Sequence, residues 1–570
     1  MLVLIACFFL NVLYGISASP GEVITTKSGS IRGIIQSSSL FERKVQKFVN
    51  IPYAEAPVGQ LRFEKPQPPK PWNGTLNGTE DIIACIQPWR AELTKITEDC
   101  LILNVWTPFP RPQNASVMVW IHGGAFRQGC SGLFDGSNFV AAGDVILVTI
   151  NYRMSALGFL TTGDDKIKGN LGLYDQRLAM KWVKENIANF GGNPKSITIF
   201  GESAGGVSVS AHTLSKGSWE FFDRAILQSG NMLMPWAIRT DSQIQSVLKW
   251  FLGKVNCKND ENLLICLRSV TEDKWKKVMN SKEIFQIFTG PYIDKEFISD
   301  NPQKLLEEGG AKNLDIIIGI TKDEMFLYHQ SLLEQSKNIS VYLKFFRELL
   351  EKTFKNSSKA VYDKANELYK PKCIPSYLEA LKPSVAFDSD KMFICGSRQE
   401  AILRSKLMNA TKVYLYQYSH APLVTYVTYL YPYGAFGFAG HGLDVVSAFG
   451  APINNTNFRS DDQTLSVRMI LYWTNFAKTG DPNSGTKQLP IMLDNVTSLP
   501  TWPEYTNRKE EFLDMESFSQ MTVRTKLRET HCEFIKDPEG FLEKATSGSG
   551  RILLSLAWLI MVAVFFYLSY

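Results

Sequence analysis

The sequence predicts an α/β fold: one domain built on a large, mostly parallel central sheet flanked by helices. Three observations carry this. Apolar, β-prone runs at 117–121, 145–150, 197–200, 225–228, 315–318 and 413–418 alternate with helical stretches such as 175–188, the pattern of strands buried on both faces. No Pro/Ser-rich linker, charge block or internal repeat divides residues 20–540, so 570 residues need not mean several domains. With 45% hydrophobic residues the chain can bury a sizeable core.

Taken in order, residues 1–18 are apolar and run into Gly15-Ile-Ser-Ala-Ser19, a secretory signal peptide without a basic n-region. Asn-x-Ser/Thr sequons at Asn73, Asn77, Asn114, Asn338, Asn356, Asn409, Asn454 and Asn495 agree with passage through the secretory path. Of nine cysteines, Cys7 leaves with the signal, and an even number remains for an oxidising compartment.

The run 117–121 ends in His122-Gly123-Gly124-Ala125-Phe126. Glycines let backbone amides approach a ligand closely, and fixed N–H groups stabilise the oxyanion of acyl transfer without reorganising. Gly124 and Ala125 are candidate donors. The run 197–200 continues Gly201-Glu202-Ser203-Ala204-Gly205, a Gly-x-Ser-x-Gly elbow between a strand and a helix beginning at Ala204. Such an elbow holds the Ser203 hydroxyl above the sheet, with the Ala204 amide as a third oxyanion donor.

A serine needs a base, and the base needs an orienting acid. Of six histidines, His441 is the best candidate because Gly440 and Gly442 flank it in a loop. His122 belongs to the glycine loop, His212 lies far along the elbow helix, and His531 adjoins Cys532. For the acid, the run from Asp315 ends in Asp323-Glu324; Glu324 is favoured and Asp323 is the alternative. The chain order serine, acid, histidine is that of an α/β-hydrolase.

From about residue 22 to 540 the chain resembles the type-B carboxylesterase and cholinesterase family. The resemblance rests on Ile51-Pro-Tyr-Ala-Glu-Ala-Pro-Val-Gly-Gln-Leu-Arg62-Phe, Thr97-Glu98-Asp99-Cys100, Asn151-Tyr-Arg153, Gly172-Leu-Tyr-Asp175, Phe190-Gly-Gly-Asn-Pro and Ala225-Ile-Leu-Gln-Ser229-Gly. It implies Ser203 as nucleophile, His441 as base and Glu324 as orienting acid. It also implies ion pairs Arg62–Glu98 and Arg153–Asp175, and disulfides Cys85–Cys100, Cys257–Cys266 and Cys395–Cys532, leaving Cys130 and Cys373 to pair or stay as buried thiols. Trp236 and Phe285 would wall the acyl pocket, a position core packing explains almost as well.

The chain departs from that family at Ala125, usually a third glycine, and at Met325, usually a glycine. The choline-binding Trp of cholinesterases has no match in register: Trp89 is displaced by one residue, and Leu327 stands where they carry an aromatic. The resemblance therefore implies a general carboxylesterase acting on small-molecule esters through an acyl-enzyme. The alternatives are a cholinesterase, and an adhesion ectodomain of the same fold without chemistry.

A net charge of +5 gives no case for nucleic acid, and no zinc-like spacing or phosphate loop calls for a metal or cofactor. Residues 541–551 form a small-residue, polar stalk, and 552–570 are nineteen uncharged, mostly apolar residues. As a helix they would span about 28 Å, close to a bilayer's hydrocarbon thickness. The expectation is a cell-surface or secretory-lumen protein held at its C-terminus, through a GPI-attachment signal near Thr546–Gly550 or a retained transmembrane helix.

Overall fold

The computed structural model describes residues 19–544 apart from 39–42, 79–81, 89–92, 165, 372, 408–410, 423–435, 454, 456–457, 486–498 and 518–520. The expected signal peptide and C-terminal segment, Trp89, and the sequons at Asn409, Asn454 and Asn495 lie outside the described residues. Within them, no helix is long and apolar enough to cross a membrane. Asn73, Asn77, Asn114, Asn338 and Asn356 are all exposed.

The main sheet has thirteen strands among the described residues. Seven parallel strands form its centre, in the spatial order Ile146–Ile150, Ala115–Ile121, Gly192–Glu202, Arg224–Gln228, Ile316–Thr321, Val413–Tyr418 and Glu511–Met515. Six of these are the predicted runs. Antiparallel strands complete both edges, Ser19–Thr25, Ser30–Ser37, Lys44–Pro52 and Ile102–Phe109 on one side and Met521–Thr525 on the other. The sheet is thus mixed. The outermost strand Ser19–Thr25 escaped the sequence reading because it faces solvent: six of its seven residues are not buried, so no continuous apolar run marks it.

Side chains alternate across the sheet and feed two cores. From the strand Ala115–Ile121, Val117, Val119 and Ile121 join one cluster, while Met118 and Trp120 join the other. The helix predicted at 175–188 runs Leu171–Asn186 and tightens into a 3₁₀ turn at Ile187–Phe190, closed by Gly191 at φ 89°.

Two buried ion pairs tie loops to this frame. Arg153 donates from Nε and Nη2 to Asp175 at 2.8 and 2.7 Å, and the Arg153 backbone N–H adds a bond of 3.0 Å. Arg62 grips Glu98 through Nε at 2.7 Å and spends Nη1 on the carbonyls of Arg268 and Val270. Removing one partner of such a pair strands a buried charge, at a cost of about 3–5 kcal/mol.

The disulfides Cys85–Cys100, Cys257–Cys266 and Cys395–Cys532 are formed. Cys130 and Cys373 are not joined to each other. Cys130 is buried, but Cys373 is exposed rather than the buried thiol expected.

Candidate active site

The carboxyl ends of four central strands converge, as expected for ligand sites on open α/β sheets. Ser203 follows the strand Gly192–Glu202 and precedes the helix Ala204–Leu214. Its backbone sits at φ 58°, ψ −123°, a region that residues with a Cβ rarely adopt and that costs of order 1–3 kcal/mol. Surrounding bonds hold it there: Ser203 N–H donates to the Gln228 carbonyl at 2.9 Å, and its own carbonyl accepts from Val207 at 2.9 Å. Close packing requires Gly205, since a Cβ there would lie 2.0 Å from the Ile121 carbonyl oxygen.

The glycine loop lies against this elbow. A Cβ built on Gly123 would come within 3.0 Å of Ser203 Cβ. Gly124 has φ 109°, and Ala125 and Phe126 also turn left-handed at 57° and 56°, so Ala125 accepts strain a glycine would avoid. At the head of the elbow helix, Ala204 has an amide with no acceptor within its own helix.

His122 steadies the loop. Its ring donates from Nδ1 to the Gly123 carbonyl at 2.8 Å and stacks on Tyr152 at 4.5 Å, while the Tyr152 hydroxyl donates to the His122 carbonyl at 2.8 Å. Burial lowers its pKa to about 4, which keeps it neutral and unsuited to act as the base.

Glu324, fully buried, accepts from the Thr321 amide at 2.8 Å through Oε1 and from His441 Nδ1 at 2.5 Å through Oε2. Asp323 has a different job. Its Oδ2 accepts from the Ala439 amide at 2.9 Å, and its own amide donates to the Ala439 carbonyl at 2.9 Å, clamping the histidine loop to the acid's turn. The two carboxylates left open by the sequence therefore divide, one touching the imidazole and one its backbone.

Sequence reading missed Glu202, although it stands inside the serine motif. His441 Nε2 reaches this elbow with Glu202 Oε1 at 3.0 Å, so the imidazole lies between two carboxylates. Burial pushes Glu202 up to about 8, His441 opposing and Asp444 and Glu324 adding to the rise. Burial would lower His441, but Glu202 and Glu324 outweigh it and raise the ring to about 9. Asp444, also missed, sits buried beneath and accepts from Gln228 at 3.0 Å and the Tyr416 hydroxyl at 2.6 Å.

Of the expected acyl walls, Trp236 is partly buried, its ring 5.4 Å from Phe393, which is 4.8 Å from His441. Phe285 is 55% exposed, so core packing does not account for it. Leu327 packs on the core behind the site, and Tyr328 is 54% exposed within electrostatic reach of Glu202 and Glu324.

The sequence profile of the carboxylesterase family matches residues 20–535. The chain belongs to that family. Among its relatives, a cholinesterase of Mus musculus is 34% identical over 544 residues, covering 90% of this chain and 86% of its own. An acetylcholinesterase of Bungarus fasciatus is 33% identical over 551 residues with the same coverage. The esterase described here is a serine hydrolase of carboxylic esters, and its three disulfides suit an oxidising compartment.

If His441 is the base, the paired carboxylates set the pH response of this esterase. Replacing Glu202 by Gln removes a negative charge that favours the protonated ring, so His441 loses its proton at lower pH. The acidic limb of the kcat/KM profile is expected to move down by about one pH unit or more. A limb that stays put or moves up would show that Glu202 does not act on the base.

Proposed function

We propose that Ser203, His441 and Glu324 form the catalytic triad of a general carboxylesterase. Ser203 Oγ attacks the ester carbonyl while His441 Nε2 takes its proton. The amides of Gly124, Ala125 and Ala204 hold the oxyanion, and the imidazolium returns its proton to the departing alcohol. Water then repeats the sequence on the acyl-serine. Glu324 keeps the proton of the neutral ring on Nδ1, leaving Nε2 as the acceptor. The observation that best supports this reading is the buried 2.5 Å contact from Glu324 to His441 Nδ1, with Nε2 3.0 Å from Oε1 of Glu202, the residue before Ser203.

Choline is not the preferred alcohol in this reading, because Leu327 offers no aromatic face to a quaternary ammonium. The relatives named for choline esters keep the alternative in play. Acetylcholine compared with its uncharged isostere 3,3-dimethylbutyl acetate tests it: kcat/KM is expected to be no higher for the cation. A preference for acetylcholine of about tenfold or more, roughly 1.4 kcal/mol, would favour a cholinesterase. No turnover of either ester, together with no fluorophosphonate labelling of Ser203, would favour the adhesion reading.

The apolar residues 552–570 are proposed to hold the enzyme at the membrane, facing the cell exterior or a secretory lumen. Full-length protein is expected in the detergent phase on cloud-point partition. Release of that fraction by phosphatidylinositol-specific phospholipase C identifies a GPI anchor, retention identifies a transmembrane helix, and recovery in the aqueous phase refutes anchoring.

A further inference from the structure

Two arginines that the mechanism does not use flank residues 285–291, the segment that carries Phe285. Arg127 directly follows the glycine loop. Its guanidinium lies 4.9 Å from the Phe285 ring and 5.8 Å from that of Phe288, and Nη1 donates to the Phe285 carbonyl at 3.3 Å. Arg239 donates from Nη2 to the Trp236 carbonyl. Both reach the same short segment: Arg127 at Phe285 and Phe288, and Arg239 through its amide to the Pro291 carbonyl at 2.8 Å, with a Cβ on Gly290 3.7 Å from Arg239 Nε.

The lack of an ion pair at these arginines is shared with Arg177 and Arg224, which bond serine hydroxyls and a backbone carbonyl instead. The buried arginines at 62, 153 and 404 each hold a carboxylate. Among the described residues neither Arg127 nor Arg239 has a carboxylate within ion-pair distance, and the Nε of each is buried with no acceptor. Each guanidinium has a backbone carbonyl as acceptor but no counter-charge, and a planar oxyanion is the group whose geometry and charge match it. Position links them to the chemistry. Tyr328 lies within electrostatic reach of Arg127 and of both active-site carboxylates, and Trp236, whose carbonyl Arg239 holds, connects through Phe393 to the His441 ring.

We propose that Arg127 and Arg239 receive a carboxylate on the substrate, so that the favoured esters carry a second, anionic group, as in a monoester of a dicarboxylic acid. This rests on the ester-hydrolase reading above. It gives those two residues a role in specificity while Ser203, His441 and Glu324 do the bond-making. The cation–π stacking of Arg127 on two exposed rings would by itself explain a structural role, so the test must move something that stacking does not.

The test compares four esters, two anionic and two neutral, with the full-length enzyme. They are mono-4-nitrophenyl adipate, with its carboxylate on the acyl half; the 6-hydroxyhexanoate ester of acetic acid, with its carboxylate on the alcohol half; and a neutral partner for each, 4-nitrophenyl hexanoate and hexyl acetate. At least one anionic ester is expected to exceed its neutral partner in kcat/KM by roughly 10- to 100-fold, the range of one charge-assisted hydrogen bond. Which one does so identifies the half that carries the anion. The ratio is expected to shrink as ionic strength rises, which a stacking role would not produce.

In Arg127→Gln and in Arg239→Gln the ratio is expected to fall toward unity, and Arg→Lys at either position to restore part of it. Serine-dependent hydrolysis of the neutral esters without an anionic preference would overturn this inference and leave the ester reading intact. An anionic preference that both Gln variants retain would also overturn it. Turnover of none of the esters would overturn both.

Discussion

Ser203→Ala is expected to lower kcat for any ester by about 10⁴- to 10⁶-fold, because no other nucleophile stands at the elbow and only binding and oxyanion contacts remain. The loss should come without unfolding. Alanine occupies the same strained backbone as serine, and the bonds that impose it run from the backbone of Ser203 to Gln228 and Val207, which the substitution keeps. Thermal unfolding followed by circular dichroism should therefore change little while turnover disappears. A variant that keeps more than a few per cent of wild-type kcat would remove Ser203 from its role, whatever the fold implies.

Glu324→Gln is expected to cost about 10⁴-fold in kcat, the scale of losing the correct tautomer. The reason lies in what the carboxylate accepts. Oε1 takes the Thr321 amide at 2.8 Å and Oε2 takes His441 Nδ1 at 2.5 Å, so both oxygens face donors. A glutamine amide has one oxygen and one NH₂ group. Either the NH₂ meets the Thr321 amide, or it meets Nδ1 and moves the ring proton to Nε2, where it blocks the base. Asp323→Asn gives the contrast, since Asp323 touches only the backbone of the histidine loop. It is expected to lower kcat by roughly tenfold, through a loosened loop. Equal losses from the two variants in steady-state kinetics would mean the acid has been misassigned.

The sequence carried the centre of the fold because burial on both faces forces an unbroken apolar run. The strand Ile316–Thr321 is buried at every residue and was visible as such, while the edge strand Ser19–Thr25 was not. The elbow was equally legible, since Gly201, Ser203 and Gly205 have no other economical reason to stand between an apolar strand and a small-residue helix. Phe285 shows the opposite case. Its apolar side chain suits a core, and only its exposure in the folded chain rules that out.

What the chain alone determined is the set of candidate groups: an elbow serine, a glycine loop, a histidine between glycines and an acid at a strand end, each marked by local backbone need. Tertiary structure decided how they are wired. Glu324 and not Asp323 meets the imidazole, Glu202 lies on its other side, and two arginines with no carboxylate partner among the described residues flank the segment that carries Phe285. Such pairings join residues more than a hundred positions apart, as Glu324 and His441 are. Their charges act on one another only when burial brings them within a few ångströms and removes the water that would otherwise screen them.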